Sequence, residues 1–196
     1  LAACKDGRRT GLGTHGLADV LARLRLPYDD EEAMIVTEKI YRTLKEAAYK
    51  ESVNLARERG AFPVYNAAYE VDHPYLSMLP DNTKESMIKY GRRNISILTN
   101  APTGSVSILS QTSSGLEPVF RNSYVRRRKL DSSATERVDF VDELGDRWHE
   151  FEVFHHNVQE WRAQNENKSL PSFFTESDQI KWEKRVDIQA KIQQHI

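Results

Sequence analysis

Apolar positions recur with a helical period over the first half of the chain. Leu17, Val20, Leu21 and Leu24 fall at i, i+3, i+4 and i+7, which predicts a helix over residues 16–26 with one buried face. A long helix is predicted from Asp30 to about Arg59, with Met34, Ile40, Tyr41, Leu44, Ala48 and Leu55 turned inward. Asp30 suits its N-cap, Glu31 and Glu32 the positive end of its dipole, and Gly60 its end. Ala47, Ala48 and Ser52 are small enough to admit a close neighbour. Glu38, Lys39, Lys45, Glu46, Lys50 and Glu51 read as a solvated face. Residues 61–81, with Pro63, Pro74 and Pro80, read as a long packed loop with room for one short helical turn. A short helix over residues 83–90 directs Met87 and Ile88 inward, and residues 1–11 read as irregular.

The pattern then changes. Ile95, Ile97 and Leu98 suit a short buried strand, and residues 105–109 can start a helix after the loop 100–104. Residues 124–130 read as a half-exposed strand. Residues 138–143 and 147–154 read as a hairpin across Leu144-Gly145-Asp146, with Phe151 and Val153 alternating with charges and Trp148 packed there. A helix is expected from His155 to about Asn165. A capping box at Thr175 and Asp178 is expected before a last helix carrying Trp182, Val186, Ile188 and Ile192. The fold class this predicts is mixed α/β, mostly helical.

A length of 196 residues suits one domain with a real core. Net charge is −1, which argues against a general nucleic-acid binder, so no direct DNA binding is expected. The run Arg126-Arg127-Arg128-Lys129 also admits reading as a phosphate patch, but it lacks interleaved aromatics. The mean hydropathy of −0.65 and the absence of any apolar run near ~20 residues predict a chain outside the membrane. Lys5, Asp6, Arg8 and Arg9 break any signal-peptide pattern. The lone Cys4 excludes a disulfide framework, points to the cytoplasm, and reads as an incidental thiol. His15 has no assigned role, Asp72-His73 falls short of a metal site, and adjacent His155 and His156 point apart on a helix. The chain opens without Met and closes within a helical pattern, so it is expected to be a piece of a longer polypeptide.

The candidate chemistry lies in residues 94–124, where strand, glycine-containing loop and helix start follow one another. The first N–H groups of a helix have no partner inside it, and the dipole adds positive charge there, so an anion collects several bonds at once. Gly104 permits close approach or a positive φ, Pro102 stiffens the entry, and the hydroxyls of Thr103, Ser105 and Ser107 can donate further bonds. By local spacing alone, an ordinary strand-to-helix turn with a serine N-cap fits as well. Neither the P-loop lysine nor a GxGxxG pattern is present. Arg92 or Arg93 can serve either a phosphate or a surface salt bridge.

Ala101-Pro102-Thr103-Gly104-Ser105-Val106-Ser107, followed by Ser113-Ser114-Gly115-Leu116-Glu117-Pro118, resembles the catalytic subunit of ribonucleotide reductases. Arg8-Arg9-Thr10-Gly11-Leu12-Gly13 with Gly16-Leu17-Ala18-Asp19, and Tyr28-Asp29-Asp30-Glu31-Glu32-Ala33, match further family segments in the same order. The later stretch, through Trp148 to Trp161, is most similar to the adenosylcobalamin-dependent class. The resemblance implies a section of a ten-stranded α/β barrel with an appended hairpin. Residues 1–93 would be a helical part, 94–130 the substrate loop and a barrel strand, and 131–196 the hairpin and closing helices. It implies that Ala101, Pro102, Thr103, Gly104, Ser105, Val106 and Ser107 hold the phosphates of a ribonucleoside di- or triphosphate, Val106 through its backbone N–H. It implies adenosylcobalamin and the remaining reductase chain as companions, and a homodimer of the whole enzyme. The family's cysteine motif is absent, so no catalytic or metal-binding residue is assigned and the 196 residues alone are expected to be inactive. Two other readings stay open: a non-catalytic nucleotide-binding or interaction module, and another barrel-based radical enzyme.

Overall fold

A computed structural model describes residues 1–70, 72–131, 133–166 and 168–196. Helices dominate the first half: α1 (Ala2–Gly7), α2 (Leu17–Arg23), α3 (Glu31–Arg59), α4 (Ala67–Glu70), α5 (Pro74–Ser77), α6 (Asp81–Tyr90) and α7 (Gly104–Ser110). Strands β1 (Ser123–Lys129), β2 (Phe140–Val141) and β3 (Arg147–Phe154) follow, then α8 (His156–Gln164), a 3₁₀ turn at Ser177–Gln179, and α9 (Trp182–Gln193). The chain is mixed α/β and mainly helical, as its periodicity predicts. Among the described residues its own sheet has three strands and is open, in the order β1-β3-β2. Among the described residues no helix is long and apolar enough to cross a membrane.

The 29-residue α3 is the spine, roughly 43 Å long. The Asp30 side chain caps it by accepting from Glu32 N, and Gly60 closes it with φ 78°, both as the sequence predicts. Its buried stripe runs through Ala33, Thr37, Tyr41, Lys45, Tyr49 and Val53, a strict i, i+4 row. The N-terminal half lies in a core with Leu17, Leu21, Tyr28, Val119, Ile180, Ile188 and Ile192. The C-terminal half joins a second core with Leu76, Leu79, Met87 and Ile97. Small Ser52 admits the chain at 93–94: its carbonyl accepts from Arg93 N and its hydroxyl donates to Asn94 Oδ1.

Several expectations need correction. Residues 2–7 form a helix, ended by Arg8 in the left-handed region at φ 47°. Exposed Cys4 lies on it. On α2, Val20 and Leu24 are exposed while Ala18 and Ala22 are buried, so the core meets a rotated face. Ile88 is exposed, and the 61–81 loop holds two short helices, α4 and α5, with Val71 outside the described residues. His73 accepts from Tyr75 N as the cap of α5. Residues 95–98 form no full strand. Among the described residues they bond along one edge, with a parallel bridge of Leu98 to Leu12. The hairpin's first arm shrinks to Phe140–Val141 because Asp142 turns the chain early, accepting from Leu144 N, Asp146 N and Trp148 Nε1. Trp148 stacks on Phe140. The capping box belongs to Glu176 and Gln179 and closes the 3₁₀ turn, while Trp182 and Val186 of α9 face outward. The basic run lies on β1. There Arg127 pairs with Glu150 opposite it, Arg128 with Glu136 and Lys129 with Asp146.

Lys45 departs furthest from its expected solvated face. It is 1% exposed where the two cores meet, with Nζ donating to Tyr75 O at 2.7 Å and Gln194 O at 3.2 Å and lying over the Tyr75 ring. Burial holds its pKa down to about 8, against the ordinary 10.5. Between those values the unfolded chain binds the proton and the folded chain does not, so stability contributed at this site rises with pH through that window. Buried Tyr28, Tyr41 and Tyr49 and half-buried Tyr75 are pushed up by burial and oppose this as pH climbs past 10. Burial lowers the adjacent His195, which therefore titrates below the window. The melting-temperature gap between wild type and Lys45→Met is expected to move in favour of wild type as pH rises from 8 to 10. A gap that does not change with pH in thermal scans contradicts this account.

Candidate functional site

Residues 94–104 are held by the segment that follows α1. Ile95 N donates to Gly7 O, Thr10 N to Ser96 O, Leu12 N to Ile97 O at 2.8 Å and Thr99 N to Leu12 O at 3.0 Å. Two glycines permit this approach. A Cβ at Gly11 would lie 2.7 Å from Thr99 Cγ2, and one at Gly13 would collide with the Thr99 carbonyl oxygen. Gly11 and Gly13 thus serve the close packing of these two segments.

Beyond Thr99 the chain runs through exposed Ala101 and Pro102 into Thr103, which has φ 52° and ψ 28°. The sequence allowed Gly104 either a close approach or a positive φ; the positive φ falls on Thr103. A left-handed non-glycine residue costs on the order of 1–2 kcal/mol. Two contacts hold Thr103 there: its Oγ1 accepts from Gly115 N at 2.8 Å, and its carbonyl accepts from Ser107 N at 2.8 Å. The second is the first backbone bond of α7. The N–H groups of Gly104, Ser105 and Val106 therefore have no acceptor within the helix. A Cβ placed on Gly104 would meet nothing within 4 Å.

The seven candidate residues form one continuous loop and helix start, but they are not equivalent. Ala101, Pro102, Gly104, Ser105 and Val106 are exposed, Thr103 is half-buried, and Ser107 is 3% exposed. Ser107 Oγ donates to Gly104 O at 2.9 Å and lies 3.0 Å from Ser114 Oγ. Of the three hydroxyls expected to donate to an anion, that of Ser107 already donates to Gly104 O, that of Thr103 accepts from Gly115 N and keeps its hydrogen, and that of Ser105 is exposed.

The loop separates two open clefts. One, of about 640 Å³, is lined by Gly104, Ser105, Ser114, Phe120, Arg121, Tyr124 and His155 among others. The other, of about 470 Å³, includes Thr99, Ala101, Pro102, Glu117, Gln189 and Gln193. Arg121 is the cation of the larger cleft, and it is paired with Glu176 at 2.8 Å and Asp178 at 2.7 Å. Burial lowers the His155 pKa, with the Asp19 carboxylate opposing it. His156 turns away to Glu160, so the two imidazoles have different partners. Arg92 is not available to an anion, being 5% exposed and bidentate to Glu70, while Arg93 Nη1 donates to the carbonyls of Arg59 and Gly60 at the end of α3.

A family model described as "Ribonucleotide reductase, barrel domain" matches residues 2–196. The chain belongs to that family. The vitamin B12-dependent ribonucleoside-diphosphate reductase of Mycobacterium tuberculosis (strain CDC 1551 / Oshkosh) is 36% identical over 124 residues, which is 63% of this chain and 16% of that protein. The protein of the same name from Thermoplasma acidophilum is 37% identical over 120 residues, 61% of this chain and 14% of its own length. The ribonucleoside-diphosphate reductase large chain of Neurospora crassa is 33% identical over 130 residues, 61% of this chain and 14% of that one. The chain therefore spans only a small part of the length of these reductases.

Sequence reasoning named Ser113-Ser114-Gly115 as a motif but missed that it grips the loop. It also missed His155 and Arg121 as cleft walls. The alternation of small hydroxylated and glycine residues in both segments is the one signal that could have joined them. Gly13→Ala is expected to destabilise the fold by about 2 kcal/mol or more, because backbone must move, while Gly104→Ala changes stability by no more than ~0.5 kcal/mol. Urea titration of both variants checks this, and equal losses would contradict the assigned roles.

Proposed function

We propose that this chain is the part of a ribonucleotide reductase that holds the phosphate groups of its ribonucleotide substrate, at residues 101–107. The observation that carries the reading is the row of N–H groups at Gly104, Ser105 and Val106, without helical acceptors, at the rim of an open cleft in a chain of this family. Phosphate oxygens accept such bonds at short range, and the helix start favours their charge. The substrate would be a ribonucleoside di- or triphosphate, reduced to a deoxyribonucleotide by radical chemistry. Gripping the phosphates, remote from the sugar, fixes the reacting carbon where the radical group can reach it.

The rest of the reductase chain would complete the ten-stranded barrel, pair the open edge of residues 95–98 and supply the reacting cysteines. The whole enzyme would work in the cytoplasm, as a homodimer. Adenosylcobalamin, implied by the names of the first two relatives, would supply the radical. The rest of the reductase chain would hold it; no contact to it is assigned among the described residues.

One observation favours a second reading, an interaction module. Ile108, Leu109 and Phe120 are 77%, 85% and 77% exposed beside the loop. A single variant separates the two. Gly104→Asp places a carboxylate where the phosphate would sit, in open space and at a helix start that tolerates it. In the full-length protein it is expected to weaken nucleoside diphosphate binding at least about tenfold, with an unchanged melting temperature. Calorimetric binding indifferent to the change would favour the interaction reading.

A further inference from the structure

We infer that Asp19 is a positioning residue for this phosphate loop, acting through the Ser113–Gly115 segment; the inference rests on the phosphate reading of residues 101–107. Asp19 lies in the first turn of α2 and is 7% exposed. An acidic residue there ordinarily serves its own helix, but α2 has no side-chain cap bond. The carboxylate leaves its helix instead. Oδ2 accepts from Ser113 N at 2.6 Å and Oδ1 accepts from Asn157 Nδ2 at 2.7 Å, with His155 Nε2 3.6 Å from Oδ1. Ser113 is gripped a second time, since its carbonyl accepts from Gly16 N at 2.9 Å.

From Ser113 the constraint passes to the loop in two steps. Ser114 Oγ meets Ser107 Oγ at 3.0 Å, and Gly115 N donates to Thr103 Oγ1 at 2.8 Å. Thr103 sits in a backbone region that persists only when its surroundings over-determine it. Without Asp19, Ser113 N is left as a buried donor with no acceptor, the segment shifts to find one, and Thr103 loses its anchor. The three N–H groups that meet the phosphates then lose their common aim. Asp19 never touches substrate in this account; it fixes the direction of groups that do.

The test uses the full-length reductase, with nucleoside diphosphate as substrate and Gly104→Asp as the control. Asp19→Ala is expected to raise the KM about tenfold or more, with a smaller fall in kcat. Asp19→Asn should recover most of the loss, because its oxygen still accepts from Ser113 N and Asn157 can turn its amide to accept from the new NH₂. If Asp19→Ala does not fold, Asp19→Glu decides: it keeps the charge but moves the carboxylate outward by one methylene, and should also raise the KM. Wild-type KM in the folded Ala and Glu variants, or a lower melting temperature with KM unchanged, overturns the positioning role while a binding-defective Gly104→Asp leaves the phosphate reading intact. If Gly104→Asp itself binds normally, the phosphate reading fails and the inference falls with it.

Discussion

The loop depends on one close approach of two backbones. Residues 10–12 run beside residues 96–99, and the approach requires that Gly13 carry no Cβ where it meets the Thr99 carbonyl. That contact sets where the chain leaves residue 99, and so where α7 begins. A side chain at position 13 would push the two segments apart and carry the start of α7 with them. The glycines at 11 and 13 are therefore as much a part of the candidate site as the loop itself.

A second layer holds the loop from the other side. The Ser113–Gly115 segment, anchored on the first turn of α2, binds Thr103 and Ser107 through the hydroxyls that a sequence reader assigns to the ligand. Strain at Thr103 and its repayment by neighbouring contacts belong together: the left-handed residue aims the following N–H groups, and the hydroxyl that the threonine supplies is what keeps it there. A glycine at 103 would remove the strain and the anchor at once. Behind both layers stands α3, whose two halves lie in separate cores, with Lys45 between them donating to Tyr75 O and Gln194 O.

Much of this was legible in the sequence. The span of α3, its Asp30 cap, its Gly60 stop and the position of α7 followed from period and capping residues, because those signals are local. The resemblance carried by residues 101–107 and 113–118, together with the segments at 8–19 and 28–33 in the same order, named the family that the comparison then showed. What was not legible depended on partners distant in sequence. Lys45 sits in a run of charges that reads as solvent-facing, and only the meeting of α5 and α9 around it buries its amine. Residues 95–98 have the composition of a strand but bond along one edge among the described residues, so their strand character is incomplete here. In the sequence Asp19 is only the last residue of a family motif; its acceptor role becomes visible only when Ser113 and Asn157 are brought to it from 94 and 138 positions away.

The central claim is that phosphates dock on the backbone at the start of α7. Hydrogen–deuterium exchange of the full-length protein, with and without saturating nucleoside diphosphate, tests it most directly, because the claim concerns individual N–H groups. The account predicts that peptides covering residues 103–107 gain protection when nucleotide is bound, and that inorganic pyrophosphate gives part of the same effect. Protection elsewhere in the protein with residues 103–107 unchanged would contradict it.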